Sequence, residues 1–539
     1  MKKISYILLL LVFASFMLIG CDGMLKVDSD RDVFVDDYGL KSTNDSLYSI
    51  FGVLSQVEKL ADSYVLLGEL RGDLMDVTSK AGPYLKEINN FNISADNPYV
   101  NKKDYYAIIN NCNYIIKNAD TTLLKNNEKV MYKVLAAAKG IRAWTYMQLA
   151  LNFKTVIYYE EPLLTLKDAE KSFPVYDLEQ LADVLIKDIE PYKDYTKPSF
   201  GSLYTADISD CFFPIRFILG DLYLWTGQYE NAANEYRDLI FKERYLITAS
   251  YQSSLTVVNK VFNGGSELYW GSCFLTSSSE NITNIIASNE YGDVFMLDSL
   301  VKDYQLTASP FILNDWDSSR YMNSATLDTL CDLRKRQSVM SNMEVGSTYF
   351  MGGASTLLTK NYLSKFIYMN LPSSVTKKVM PYRVALLYLR YAEAVNRLGK
   401  THLAMAVLKN GLNPTIYNGV IIPVSEISIP MPNYMNFTNS RFTYNIGIRA
   451  RSLFHPELDD RFVIPATLDS VAKISYMEDL ICNELALETA FEGNRFHDLM
   501  RFAIRRDSTD YLATKVAAKH PNNSNILGIL RDRNNWYLK

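Results

Sequence analysis

The stretch IRFILGDLYLWTGQYENAANEYRDLI, residues 215–240, decides the fold. Within it Leu219-Gly220-x-x-Tyr223 is followed by Ala232-x-x-x-Tyr236. This reads as two antiparallel helices joined by a tight turn. Gly220 and Ala232 are small where the helices touch, and Leu219, Tyr223 and Tyr236 fill the seam. Gly227 supplies the left-handed conformation that ends the first helix.

The skeleton matches that of a tetratricopeptide repeat, and it recurs with drift. In Leu386–Asn410, Ala392 and Ala404 stand where Gly220 and Ala232 stand, and Gly399 replaces Gly227. A third copy is split. Ala143 and Tyr146 lie on a helix over Ala136–Leu151, and Ala182 and Ile186 on another over Asp177–Ile189. The linker Asn152–Tyr176 between them carries Pro162 and Pro174. A fourth pair joins Leu47–Leu60 to Tyr105–Ala119. The fold expected is therefore mostly α: a tetratricopeptide-like scaffold of about four helical pairs, stacked to present a concave interaction face. Residues 246–375, with Gly264-Gly265, Gly352-Gly353 and short apolar runs, read as a loop-rich region containing a few short strands. Residues 411–465, with Pro414, Pro423, Pro430, Pro432 and Pro456 among their prolines, are similar. A final long helix is expected over Ser475–Arg505. One integrated globular unit follows, with a repeat scaffold over 41–245, a ligand-facing loop region over 246–380, and a helical pair, loop and signature helix over 381–539.

The N-terminus reads as an address. Lys2 and Lys3 precede an apolar run, Ile4–Leu18, too short for a comfortable membrane span and suited to a signal segment. It ends in Leu18-Ile19-Gly20-Cys21, which resembles a bacterial lipobox. That predicts a signal peptide over 1–20 and lipidation of Cys21, palmitate among the acyl groups, with an ordinary secretory signal as the alternative. Several acyl chains on one residue hold a protein stably at a membrane, where one chain is marginal. Residues 21–40, with six aspartates, read as an acidic tether.

Composition limits the chemistry. The 539 residues carry 56 Lys+Arg against 60 Asp+Glu, so a basic footprint for nucleic acid is absent. Four histidines leave little material for a metal or histidine-based site. The cysteines other than Cys21 are widely spaced, without a C-x-x-C, and read as small buried residues. No P-loop, H-E-x-x-H or G-x-S-x-G occurs. Tyrosine, at 38 residues, is the outlier.

Three further stretches carry a resemblance. Ala137–Leu149, with Arg142-Ala143-Trp144-x-Tyr146, Arg383–Asn396, with Arg390-Tyr391-Ala392-Glu393, and Glu484–Arg501, with Glu488, Glu492-Gly493-x-Arg495, Asp498 and Arg501, are similar to the helices of the SusD/RagB family of outer-membrane lipoproteins. Asp332-x-Arg334 resembles that family's loop element. Leu485 and Thr489 depart from the family's Arg and Leu. The resemblance implies a non-catalytic, outward-facing lipoprotein of the outer membrane. It would lie as a lid on a TonB-dependent, SusC-like transporter, bind oligosaccharide and hand it over for import. Some relatives take peptide instead. It implies no cofactor, though some members bind structural calcium.

The residues divide into structural and ligand-facing sets. Glu484, Glu488 and Glu492 fall on one helical face, whereas a glycosidase needs carboxylates flanking a bond from two sides. With Arg495, Asp498 and Arg501 they are expected to form an ion-pair network, and Arg142, Glu393 and Gly493 complete the structural signature. Arg142 and Arg390 are expected to satisfy helix ends or loop carbonyls. Aromatics in the helix seams count as core. Loop aromatics are the candidates for a sugar platform: Tyr84, Phe91 and Tyr99 in one insertion, and Tyr291, Tyr304, Trp316 and Tyr321 in the central loops. Trp316 with Asp317, and Tyr84, lead that set. The functions weighed are an oligosaccharide-binding transport lipoprotein, a peptide- or protein-binding lipoprotein of the same architecture, a scaffold that binds only protein, and a lipid-anchored hydrolase.

Overall fold

The computed structural model describes residues 40, 42, 44–203, 206–247, 281–286, 304–318, 321–322, 329–330, 332–340, 343–345, 356–358, 362–363, 365, 378–451 and 462–539. Cys21, the tether, Tyr291 and most of the central loop region lie outside the described residues. The helices are α1 Asp45–Glu58, α2 Ala61–Glu69, α3 Pro83–Asn89, α4 Lys102–Asn118, α5 Val130–Phe153 and α6 Leu178–Ile189. They continue with α7 Ile215–Trp225, α8 Tyr229–Glu243, α9 Pro310–Ser318, α10 Leu333–Ser338, α11 Val384–Arg397 and α12 Thr401–Lys409. Last come α13 Ser470–Thr489, α14 Arg495–Arg505, α15 Thr509–Ala518 and α16 Asn525–Leu530. The single turn Leu166–Ala169 is separate.

The four expected pairs form. α1 packs on α4, α5 on α6, α7 on α8, and α11 on α12. Contacts of α4 with α5, α6 with α7, and α8 with α11 join the pairs into one continuous stack. In the diagnostic pair every residue of α7 is buried. A Cβ on Gly220 would come within 2.3 Å of the Tyr236 ring, so only glycine lets α8 approach this closely. Tyr236 then donates its hydroxyl to Asp221 Oδ1 at 2.6 Å. Gly227 and Gly399 both sit at positive φ, +79° and +76°. Both are followed by the same backbone closure, Gln228 N–H to Tyr223 O and Lys400 N–H to Val395 O. The linker that splits the third pair folds as an antiparallel ribbon, Val156–Ile157 against Val175–Tyr176.

The expected terminal helix over Ser475–Arg505 is two helices. α13 stops at Thr489, the chain turns with Phe491 at φ 69° and Gly493 at φ 91°, and α14 begins at Arg495. The cause lies at least 422 residues earlier in the chain, in Glu69 at the end of α2. Its carboxyl accepts the N–H groups of Phe491 at 3.2 Å, Gly493 at 2.8 Å, Asn494 at 3.1 Å and Arg495 at 3.4 Å. A side chain from another helix thus meets the donors of the turn and, at Asn494 and Arg495, of the start of α14.

The loop region attaches through strands. Asn281–Ile286 pairs antiparallel with Lys378–Arg383, which leads directly into α11. Leu306–Ala308 pairs antiparallel with Met75–Val77. Cys112, Cys211 and Cys482 are buried and unbridged, while Cys273 and Cys331 lie outside the described residues. No helix among the described residues is long and apolar enough to cross a membrane.

Candidate functional site

The Met75–Val77 and Leu306–Ala308 pairing sets the insertion that follows α2 beside the central loop region. Two more bonds fasten it: Thr78 Oγ1 donates to Tyr304 O at 2.5 Å, and Gly82 N–H donates to Gln305 Oε1 at 2.8 Å. Pro83 then starts α3 at the position where a missing N–H costs nothing. Past α3, the Asn97 side chain closes the insertion on itself. Its Nδ2 donates to Tyr84 O and to Glu87 Oε2, each at 3.0 Å, and its Oδ1 accepts the Tyr99 N–H at 3.2 Å. Asn97 is buried, while Tyr84 and Tyr99 remain half-exposed. Hydrogen bonds from Ser94 and Asn97 hold the Glu87 carboxyl below the usual carboxylate range. Burial pushes the Tyr99 phenol up. One buried amide thus ties two tyrosines into the same fold of chain, with a carboxylate between them. Beyond Val100, a hollow of about 370 Å³ runs between Phe91, Ser94 and the C-terminal Tyr537. Phe91 sits half-buried at its wall, packed on Phe496 with ring centroids 6.0 Å apart.

The other expected platform is corrected. Trp316 is fully buried. α9 packs on α13, so the indole lies edge-on to Phe491 and its N–H donates to Leu487 O at 3.3 Å. It offers no face to a ligand. Asp317, next to it, is partly exposed and paired with Lys335 at 2.7 Å. Tyr304 is buried and acts through its carbonyl. The backbone of Tyr321 pairs with Leu330. Its side chain and Tyr291 lie outside the described residues.

The signature residues form ion pairs under the stack. Arg334 meets Asp332 at 2.6 Å, Glu484 at 2.6 Å and Glu488 at 2.9 Å. Arg383 meets Glu488 at 3.0 Å and Glu492 at 2.6 Å, Lys365 meets Glu492 at 2.8 Å, and Arg449 meets Glu484 at 2.7 Å. A second set pairs Arg495 with Asp73 at 2.6 Å, Arg501 with Glu393 at 2.6 Å, and Arg390 with Asp498 at 2.6 Å. All of these side chains are buried. Burial opposes the charge on Arg334, but Asp332 and Glu484 outweigh it and hold the guanidinium well above its ordinary range. Burial likewise opposes charge on Asp73, and Arg495 brings its carboxyl below the usual range. None of the three signature glutamates presents a carboxylate to a cleft. Arg142 and Arg390 differ from expectation: instead of helix-end carbonyls, Arg142 takes Asn113 and Asp188 at 2.6 Å each, and Arg390 takes Asp498. Asn97, Glu87 and Glu69 were not singled out from the sequence. Their partners lie across turns or hundreds of residues away, and no local spacing marks them. Among the described residues, no group of three or more His, Cys, Asp or Glu side chains is arranged to hold a metal ion.

No family model matches the sequence. The chain is similar to the SusD-like protein P2 of Formosa agariphila, 25% identical over 355 residues, which cover 61% of this chain. The match spans 64% of that relative, a little under two thirds of its length. Among solved structures it resembles a SusD superfamily protein of Bacteroides vulgatus, with TM-score 0.59 at 14% identity, over 93% of this chain and 92% of that one. A SusD superfamily protein of Bacteroides thetaiotaomicron gives 0.57 at 15% identity, over 89% and 93%. A laminarin binding SusD-like protein gives 0.55 at 15% identity, over 90% and 95%. The structures share the fold of this chain. Together with the sequence relative they support the SusD-like family.

Proposed function

We propose that this chain is a lipoprotein of the outer membrane, anchored through Cys21 and facing outward, that binds oligosaccharide and delivers it to a TonB-dependent transporter. The observation that carries the reading is a SusD superfamily fold extending over about nine tenths of the chain. The insertion supports it. A sugar ring presents a face of C–H groups that a half-exposed tyrosine covers, and its hydroxyls need amides and carboxylates close by. Tyr84 and Tyr99, tied together by Asn97 beside Glu87, offer that combination. The reaction is capture and release, with no bond made or broken. Deleting the chain from its source bacterium should slow growth on the cognate polysaccharide and leave growth on the free monosaccharide unchanged. Impaired growth on peptides alone would favour a peptide-binding lipoprotein of the same architecture and overturn the proposal.

A further inference from the structure

We propose a second binding site, for an acidic sugar residue, in the pocket where the split repeat meets the C-terminal segment. It rests on the saccharide reading above; neither Tyr84 nor Tyr99 lines it, and it shares Tyr537 with the hollow beside Phe91. The pocket holds about 560 Å³, within the range of roughly 300–1,000 Å³ usual for small-ligand sites. Its walls come from the end of α5, the start of α6, the end of α7, the end of α14 and the last residues of the chain.

Leu151, Trp225, Met500, Ile504 and Tyr537 give the lining its apolar wall area. Asp177, Glu179 and Asn534 stand on the same lining. Asp177 already accepts the Gln180 N–H at 3.0 Å as the cap of α6, and Lys154 donates to Asn534 Oδ1 at 2.8 Å. Arg533, also on the lining, is paired with Asp507 at 2.7 Å.

Arg505 is the exception. Among the described residues its guanidinium makes no hydrogen bond or ion pair, and its Nε is buried without a partner. The arginines of the buried signature network, by contrast, each meet a carboxylate. Arg505 lies flat over the repeat turn, with Nη1, Cζ and Nη2 at 3.3, 3.5 and 3.7 Å from the position a Cβ on Gly227 would take. The turn glycine therefore also makes room for the guanidinium. A planar cation with open donors recognises a carboxylate, the apolar wall covers the C–H face of a ring, and Asp177 and Glu179 accept hydroxyls. An acidic sugar supplies all three; a hydrophobic carboxylate without hydroxyls would leave those two acids facing its anion unpaired.

The test titrates the purified chain by calorimetry with a glucuronate-ended disaccharide, its neutral glucose-ended counterpart and a hydrophobic dipeptide, in wild type and R505Q. Arg505 makes no hydrogen bond or ion pair among the described residues, so R505Q should keep the wild-type melting temperature. The acidic disaccharide should bind roughly tenfold or more tighter than the neutral one, the scale of one charge-assisted hydrogen bond, and R505Q should abolish the difference. Equal binding of the two disaccharides, acid binding indifferent to R505Q, or dipeptide binding that needs Arg505 would each overturn the site. Neutral glycans that still bind and are lost in Y84A/Y99A would then leave the proposed function standing. No glycan binding of any kind would remove both.

Discussion

At the scale of single residues, Glu69 gathers the backbone donors of the α13–α14 turn. Burial pushes its carboxyl up to about 8, against the lowering effect of the Gly493, Arg495 and Phe491 N–H groups. A raised acid pKa contributes stability that is full below the unfolded value and lost as pH rises through the folded one. Relative to a neutral isostere, wild type should therefore lose stability from about pH 4.5 to about 8. The melting temperature of E69Q minus that of wild type should rise across this window and level off above it. A difference that falls with pH would mean that the backbone donors keep Glu69 ionised. Arg334 gives the opposite case. Its removal takes the guanidinium from buried Asp332 and leaves Glu484 with Arg449 and Glu488 with Arg383, and breaking a buried pair costs about 3–5 kcal/mol. R334M should lower the urea midpoint sharply or yield no soluble protein; a midpoint equal to wild type would show that the network adds nothing. The spacing of Glu484, Glu488 and Glu492 made a one-faced ion-pair stripe legible in the sequence. Its partners Arg383, Arg449 and Lys365 were not, because they lie 35 or more residues from the glutamates they meet and no local spacing marks them.

At the scale of elements, the repeat skeleton carried most of the information. Small residues at 220 and 232 and glycine at 227 placed α7 and α8 correctly, because sterics at a helix crossing act locally. The four pairs followed from the same rule. Two glycine variants separate its parts. G220A drives a methyl into Tyr236, and overpacking of this kind costs about 1–3 kcal/mol. G399A meets nothing within 4 Å but keeps φ at +76°, a backbone penalty of about 1 kcal/mol. Thermal melts should therefore rank wild type above G399A and G399A above G220A; the reverse order would place the seam elsewhere. The break at Phe491–Asn494 was missed because no proline marks it and the apolar spacing runs through. Only Gly493 hinted at it, and the deciding group, Glu69, lies in another helix. Trp316 was misplaced for a related reason. Its polar neighbours on both sides suggested an exposed loop, but α9 is a helix, and one helical face can be buried while the flanking Asp317 stays partly exposed.

At the scale of the whole molecule, the stack of four pairs supports two candidate binding surfaces, the Tyr84 insertion and the C-terminal pocket. The insertion holds Tyr84 and Tyr99 through Asn97, and the C-terminal pocket holds Arg505. Of the tyrosine excess, Tyr146, Tyr223 and Tyr236 are buried seam residues, and the half-exposed pair in the insertion is where a sugar face would rest. The central claim is that the chain captures saccharide and releases it unchanged. The most direct measurement is a binding screen of the purified chain against matched panels of oligosaccharides and peptides, read by calorimetry and by the mass of the recovered ligand. The account predicts saturable binding to at least one oligosaccharide, weakened in Y84A/Y99A, with the ligand recovered intact. Binding confined to peptides, or an oligosaccharide recovered as fragments, would contradict it.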